Sequence, residues 1–447
     1  MDEQDAYANL VWPRILQYYR LTGRDAGFAT ELGYGALRWR GRHDAILGAC
    51  IDRALPEVQP EVLDVLRLGV HQLHEMRVPP HAALSETVEL ARQVAGPRTT
   101  GFVNGVLRSV QRGGSAAQWI DRLVADGEVP PREADPAGHL TVSTSHPRWI
   151  VEALHDALAA SVPGRTWTDT EGELLADNLA GEVTLVARTL GRDDLLSQLL
   201  AQGVDAAPGR RSRLAVRVRG VSPGELPQVA TGAAGVQDEG SQLVALALAD
   251  AELDGPDTRW LDLCAGPGGK AALLAAEVSS RSSAEDAGAR GTGRLTAIEL
   301  HEHRAELVRS ALRPVRGRHE VLAGDALSLE LDGGFDRVLV DAPCTGLGAL
   351  RRRPEARWRR SPRDLPELTA LQRSLLDRAL ELVRPGGLVL YATCSPDLAE
   401  TDAIVDAAFG RGAEPVAIPG YPDGRLRLWP GRDRTDGMFA ALLRRPI

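Results

Sequence analysis

The hydrophobic pattern changes its rhythm along the chain. Over roughly the first 130 residues, apolar positions recur at three- and four-residue steps. Val62, Leu66, Val70 and Leu73 form one such stripe, and Phe102, Val103, Val106, Leu107 and Val110 another. One apolar stripe per helical turn predicts amphipathic helices packed into an all-α domain, 1–130. Pro79-Pro80 interrupts the pattern, with Ser85 expected to cap the helix that follows. Pro130-Pro131 and Pro136 mark an expected linker.

A smaller α/β linking module is expected over 146–235. It has a helix from His146, strands at 184–189 and 214–218, and a helix at 193–201 between them. From 236 to 447 strands and helices alternate. Short apolar strands are expected at 259–263, 294–298, 320–322, 337–340 and 388–393, after a helix at 241–253. This alternation predicts a Rossmann-like, mostly parallel α/β sheet. The stretch 279–293, rich in Ser, Ala and Gly, reads as a mobile surface insertion.

A chain of 447 residues is long enough for two or three cores. It has no apolar run long enough to span a membrane and no secretory leader pattern at Met1, so a cytoplasmic protein is expected. Four cysteines without close pairing suit a reducing compartment. The formal charge of −9 excludes a protein that coats nucleic acid through a general basic excess, though not one that binds it locally. Of the 52 basic residues only Lys270 is a lysine. Arginine's planar fork does not replace a compact ammonium in a tight site, so this residue is expected to have a specific task.

The candidate chemistry lies where strands end, which is where open α/β sheets bind ligands. Leu261-Asp-Leu-Cys-Ala-Gly266-Pro-Gly268-Gly269-Lys270 is a strand, a glycine-rich turn and the start of a helix. Its glycines let backbone approach a ligand, and the helix start favours a negative group. The spacing matches neither a P-loop nor a dinucleotide fingerprint. Glu299 after the next strand can accept from ribose hydroxyls, and Asp325 after the third can accept from an adenine amino group or simply close a turn. Together they describe a site for adenosine plus a carboxylate, which S-adenosyl-L-methionine fits. Cys344, in Asp341-Ala-Pro-Cys344-Thr-Gly-Leu-Gly348, and Cys394, at the end of Leu388-Val-Leu-Tyr-Ala-Thr-Cys394, place two thiols at the same crevice. Taken alone, each reads equally well as a small core residue.

The segment 351–363 carries seven arginines and one acid. Against the acidic whole it reads as an RNA-binding stretch, with Arg351, Arg352, Arg353 and Arg357 on phosphates and Trp358 stacking on a base. The alternative is a solvated charged face. A zinc site from Cys264, Cys344 and Cys394 is disfavoured, because these residues lack the closely spaced pairs of structural zinc sites. No metal is expected.

The three cysteine-bearing motifs, in this order, resemble the RNA cytosine-5 methyltransferases. The amino-terminal segments Thr30-Glu-Leu-Gly-Tyr-Gly-Ala-Leu-Arg38, Pro79-Pro-His-Ala-Ala-Leu-Ser-Glu-Thr-Val88 and Gly101-Phe-Val-Asn-Gly-Val-Leu-Arg108 are similar to the NusB-like domain of one branch, the bacterial 16S ribosomal RNA methyltransferases of the RsmB/Sun type. The resemblance implies that Cys264, Ala265, Gly266, Pro267, Gly268, Gly269, Lys270, Glu299, Asp325 and Asp341 bind S-adenosyl-L-methionine. It implies that Cys394 is the nucleophile and that Cys344 releases the product, with Asp341 and Lys270 assisting. Thr345, Ala-Gly-Pro at 265–267 and Glu400-Thr401 depart from the commoner residues without removing a reacting group. The implied substrate is an unpaired or flipped cytosine in 16S ribosomal RNA, methylated to 5-methylcytosine by a monomer. A transfer RNA methyltransferase and a non-catalytic RNA-binding assembly factor are the alternatives.

Overall fold

The computed structural model describes residues 8–285 and 293–447. The chain divides into two compact units. One comprises Met1–Ala180 with Leu350–Ser361, and the other Gly181–Ala349 with Pro362–Ile447.

The described residues of the first unit are helical, and the helices run on past residue 130 to Asp177. Helix Pro60–His74 buries Val62, Leu66 and Val70 against Val103, Val106, Leu107 and Val110 of helix Thr100–Gly113. Gly69 makes this approach possible, because a Cβ there would stand 2.8 Å from Leu107 Cδ2 and 3.0 Å from Thr87 Cγ2. Two expectations change. Helix Pro80–Ala95 begins at Pro80, where the missing N–H costs nothing, so Ser85 lies inside it and bonds back to Ala82 O. Pro136 likewise opens a helix, Pro136–Ser143, capped by Asp135, rather than marking a linker.

The second unit holds two sheets. In the smaller, β1 (Val183–Ala187), β2 (Asp205–Pro208), β3 (Ala215–Arg219) and β4 (Ala234–Val236) are antiparallel in the order β2-β3-β1-β4. β2 and β4 are short and lie at the sheet's edges, which is why periodicity missed them. The boundary expected at 235 falls inside β4. Helix Arg192–Ala201 covers this sheet with Leu195 and Leu199.

The larger sheet contains β5 (Arg259–Asp262), β6 (Arg294–Glu299), β7 (Arg318–Ala323), β8 (Phe335–Asp341), β9 (Val383–Thr393), β10 (Glu414–Pro415), β11 (Arg425–Leu428) and β12 (Met438–Arg444). The order is β10-β12-β9-β8-β5-β6-β7, with β11 paired to β12; β5 to β9 run parallel and β10 to β12 are antiparallel additions. Alternate residues of β9 face opposite layers: Leu388, Leu390 and Ala392 pack on one side, Val389 and Tyr391 on the other. Burial on both faces explains the unbroken apolar run in the sequence. The sequence pattern had not separated β11 and β12 from their surroundings. Helix Gly269–Glu285 continues through the first part of the expected insertion, and its remainder, 286–292, lies outside the described residues. Among the described residues no helix is long and apolar enough to cross a membrane.

Candidate active site

Strand order reverses between β5 and β8, and a crevice forms outside their carboxyl ends at such a switch point. The chain leaves β5 through the glycine-rich turn and enters helix Gly269–Glu285. Ala265 N donates to Ile298 O at 2.8 Å, and Gly268, with φ +104°, donates to Ala265 O at 2.7 Å. A Cβ on Gly266 would lie 2.0 Å from Glu299 Oε2, so any side chain there would displace the Glu299 carboxylate. Glu299 ends β6 and is buried; it accepts from His301 N at 3.2 Å and lies 3.4 Å from an Arg304 nitrogen, which also donates to Gly266 O. Asp325 follows β7 and is exposed. One of its oxygens accepts from Leu327 N at 3.0 Å, so the residue does close a turn.

Lys270 Nζ donates to Asp341 Oδ2 at 2.7 Å, tying the first turn of the helix to the end of β8. Burial alone would lower the ammonium's pKa, but the charge and hydrogen bond of Asp341, with smaller contributions from Cys394 and Asp262, hold it raised. Asp262 is pushed up to about 7, first by burial and then by Asp341, against the pull of Lys270. Its Oδ2 is buried without a hydrogen-bond partner among the described residues.

β8 and β9 are parallel neighbours with Asp341 opposite Ala392, so their exit loops leave the sheet side by side. This register brings Cys344 Sγ and Cys394 Sγ to 3.4 Å, although 50 residues separate them in the chain. Both residues are partly exposed. The Cys344 thiol is held well above its usual pKa, first by its hydrogen bond to Cys394, then by burial and by the charges of Cys394 and Glu400. Cys264 is also raised, by burial and then by Asp262, which marks it as an inert thiol.

Glu400 is a residue whose place the motifs did not reveal. Fully buried, it accepts from Thr345 N at 2.8 Å, from the Thr345 hydroxyl and from Gln372 Nε2 at 3.0 Å. Gln372 also donates to Pro343 O at 2.8 Å, so both neighbours of Cys344 are held. The Glu400 carbonyl accepts from Tyr391 on β9, and Gly348 N donates to Cys394 O at 2.9 Å. The two cysteine loops are thereby fastened to each other. The available signal was a carboxylate set in the apolar run Leu398-Ala399-Glu400.

The arginine-rich segment departs from expectation. Residues Leu350–Ser361 belong to the helical unit, where Arg357 is fully buried and donates to Arg38 O, Ser145 O and Asn178 Oδ1 at 2.9–3.0 Å. Arg351 is buried too, and Trp358 Nε1 donates to Leu37 O at 2.8 Å. All three bonds come from Nη1; burial shuts the rest of the Arg357 guanidinium, whose Nε and Nη2 have no hydrogen-bond partner among the described residues, away from solvent, and the indole edge of Trp358 is engaged. Arg352 is half-buried and Arg353 exposed. A run of like charge does not tell which members the fold consumes.

The sheet order and the glycine-cradled turn define a Rossmann-like methyltransferase domain, which follows an all-α domain in the sequence. A model described as 16S rRNA methyltransferase RsmB/F matches residues 246–444, and the NusB family model matches residues 1–112. The chain belongs to the RsmB/F family of 16S rRNA methyltransferases. It is 48% identical over 455 residues to a putative methyltransferase of Mycobacterium tuberculosis, covering 99% of this chain and 93% of that protein. It is 31% identical to ribosomal RNA small subunit methyltransferase B of Vibrio vulnificus, covering 94% and 91%. Among solved structures, that of PH0851 shares the fold at 21% identity with a TM-score of 0.74, covering 97% of this chain and 93% of that one. NSun6 from Pyrococcus horikoshii, solved with SFG, aligns over 67% of this chain and 98% of its own at 17% identity, with a TM-score of 0.56.

Proposed function

We propose that the chain methylates carbon 5 of a cytosine in 16S ribosomal RNA, with Cys394 forming a transient bond to the base. The observation that carries this reading is the 3.4 Å pairing of Cys344 and Cys394 at the mouth of a methyltransferase crevice. Methyl transfer to an exocyclic amine or to a protein has no use for two thiols. The ribosomal substrate is supported by the names of the family and of its Vibrio vulnificus relative.

The residues present fit S-adenosyl-L-methionine. Gly266 leaves open the space a Cβ would fill beside Glu299, and that buried carboxylate is placed to accept from ribose hydroxyls. The amide groups opening helix Gly269–Glu285 suit a carboxylate. When bound, the cofactor supplies an electrophilic methyl group. The protein's task is to make carbon 5, a poor nucleophile, receptive to it.

A free thiol is only a few per cent ionised at pH 7, and the Lys270 ammonium favours the charged form of Cys394. The Cys394 thiolate bonds carbon 6, and the electrons of the 5,6 double bond move to carbon 5. After methylation a base takes the carbon 5 proton; the pair left behind restores the double bond as the Sγ–carbon 6 bond breaks. Cys344 is suited to that second half. Its thiol is held protonated chiefly by Cys394, and alkylation of Cys394 removes both that charge and that acceptor. Adduct formation thus makes the Cys344 thiol easier to ionise, although burial and the Glu400 charge still oppose it. Lys270 occupies the Oδ2 of Asp341, and Asp262 is the carboxyl lying near neutrality. The test is bisulfite mapping of unmodified 16S and transfer RNA after reaction: 5-methylcytosine is expected in the former, and methylation confined to transfer RNA overturns the substrate.

A further inference from the structure

With Arg357 buried and the Trp358 indole edge engaged within the helical unit, the arginine-rich segment has less to offer RNA than its sequence suggests. We propose that a cleft beside β11 takes the single-stranded RNA around the target base; the inference rests on the RNA-methylating reading above and deepens it. The cleft encloses about 690 Å³. Its rim carries Arg210, Arg211, Arg213, Arg432 and Arg434 beside Asp250 and Asp433, in a chain of net charge −9; Arg211 and Arg432 pair with Asp433, Arg213 with Asp250 and Glu277, and Arg210 with Glu182, so phosphates would compete with these carboxylates for the guanidinium groups. All five arginines are exposed. Its floor is apolar, with Leu246, Ile418 and Leu426 buried and Tyr421 half-buried beside them.

Both walls are built rather than loose. Buried Glu239 accepts from the backbone of Arg210, Arg211 and Ser212 at 2.7–3.0 Å, fixing the turn that presents the first three arginines. Asp433 caps the facing segment at Trp429 N and reaches Arg211 at 2.5 Å, holding the two walls together. Position relative to the chemistry follows from register. β12 runs antiparallel to β9 with Phe439 opposite Thr393, so the connection from Trp429 to Gly437 lies at the same end of the sheet as Cys394. Gly437 N donates to Gly348 O at 2.7 Å, and a Cβ on Gly348 would meet Gly437 O at 1.9 Å. The arginine-bearing connection therefore touches the loop that carries Cys344. A strand whose target base enters the crevice continues toward the cleft, with phosphates on the arginine rim and a neighbouring base against Tyr421 and the apolar floor.

The experiment uses full-length protein and a cytosine-containing single-stranded RNA from 16S ribosomal RNA, with anisotropy titrations across a salt series. The Arg432→Ala/Arg434→Ala variant is expected to bind about tenfold more weakly and to show a salt slope shallower by roughly one to one and a half, as for two lost phosphate contacts. Its affinity for S-adenosyl-L-methionine is expected to be unchanged. Photocrosslinking of 4-thiouridine RNA to wild-type protein gives a readout independent of variant folding, with Tyr421 or its neighbours expected among the labelled residues. Unchanged affinity and slope, or crosslinks confined to other surfaces, overturn the cleft. A variant that binds RNA normally but loses an acidic protein partner also overturns it. A wild type that methylates no RNA refutes the underlying reading instead.

Discussion

Lys270 Nζ and Asp341 Oδ2 form a 2.7 Å ion pair that joins the glycine-rich turn to the strand preceding Cys344. The chain's one lysine sits where its charge reaches both Asp341 and Cys394. Lys270→Met removes that charge. The alkaline shift of the ionisation that limits kcat/KM, read from its pH profile, is expected to reach one unit or more, with activity near neutral pH falling about tenfold per unit. An unshifted profile separates Lys270 from thiol activation.

Asp262 gives a stability prediction with a definite sign. Its folded pKa is raised from 3.8 to about 7, so the folded state binds the proton more tightly than the unfolded one. The cost of its buried charge is full above pH 7 and fades as pH falls toward 4. Asp262→Asn, which keeps an acceptor for Cys264 N, should be more stable than wild type at pH 8, by an amount on the order of a few kcal/mol, and lose most of that advantage by pH 5. Denaturant melts at the two pH values measure this. A constant difference contradicts the assignment.

Glu400→Ala leaves Thr345 N and Gln372 without their buried acceptor. A loss of about 1 to 3 kcal/mol in stability is expected. The more telling effect is on release. With the Cys344 loop no longer fastened, a misplacement near 1 Å slows turnover about a hundredfold, and the Cys394 adduct accumulates. Rapid-quench measurement of adduct lifetime distinguishes this from a simple loss of folded protein.

Arg357→Ala is expected to act on the fold. Three acceptors lose a donor in the buried interior of the helical unit, which corresponds to about 2 to 4 kcal/mol. Limited proteolysis should show that unit opening more readily, while RNA affinity of the protein that remains folded stays within twofold. A selective loss of RNA binding without destabilisation contradicts this placement.

The parts of the site visible in sequence were those encoded locally. The strand, glycine-rich turn and helix start at 261–270 were legible from their local pattern, while the cofactor role of 264–270 came from the family resemblance. The two cysteines were visible because each ends an apolar run; their 3.4 Å approach depends on β8 and β9 being neighbours. Glu400 and Gln372 were hidden because their roles come from hydrogen bonds to a loop 29 to 55 residues distant. Arg357 misled because hydrophobic patterning assigns charge to the surface, whereas three backbone and side-chain acceptors support it in the interior. The helix starts at Pro80 and Pro136 were misjudged because proline breaks an existing helix and opens a new one equally well.

The covalent role of Cys394 is tested most directly by trapping. The Cys344→Ala protein, incubated with unmodified 16S ribosomal RNA and methyl-labelled S-adenosyl-L-methionine, is resolved on a denaturing gel. The account predicts a labelled protein–RNA band that disappears in the Cys344→Ala/Cys394→Ala double variant. Wild-type methylation of cytosine carbon 5, with no Cys394-dependent band and with Cys394→Ala still active, would contradict it.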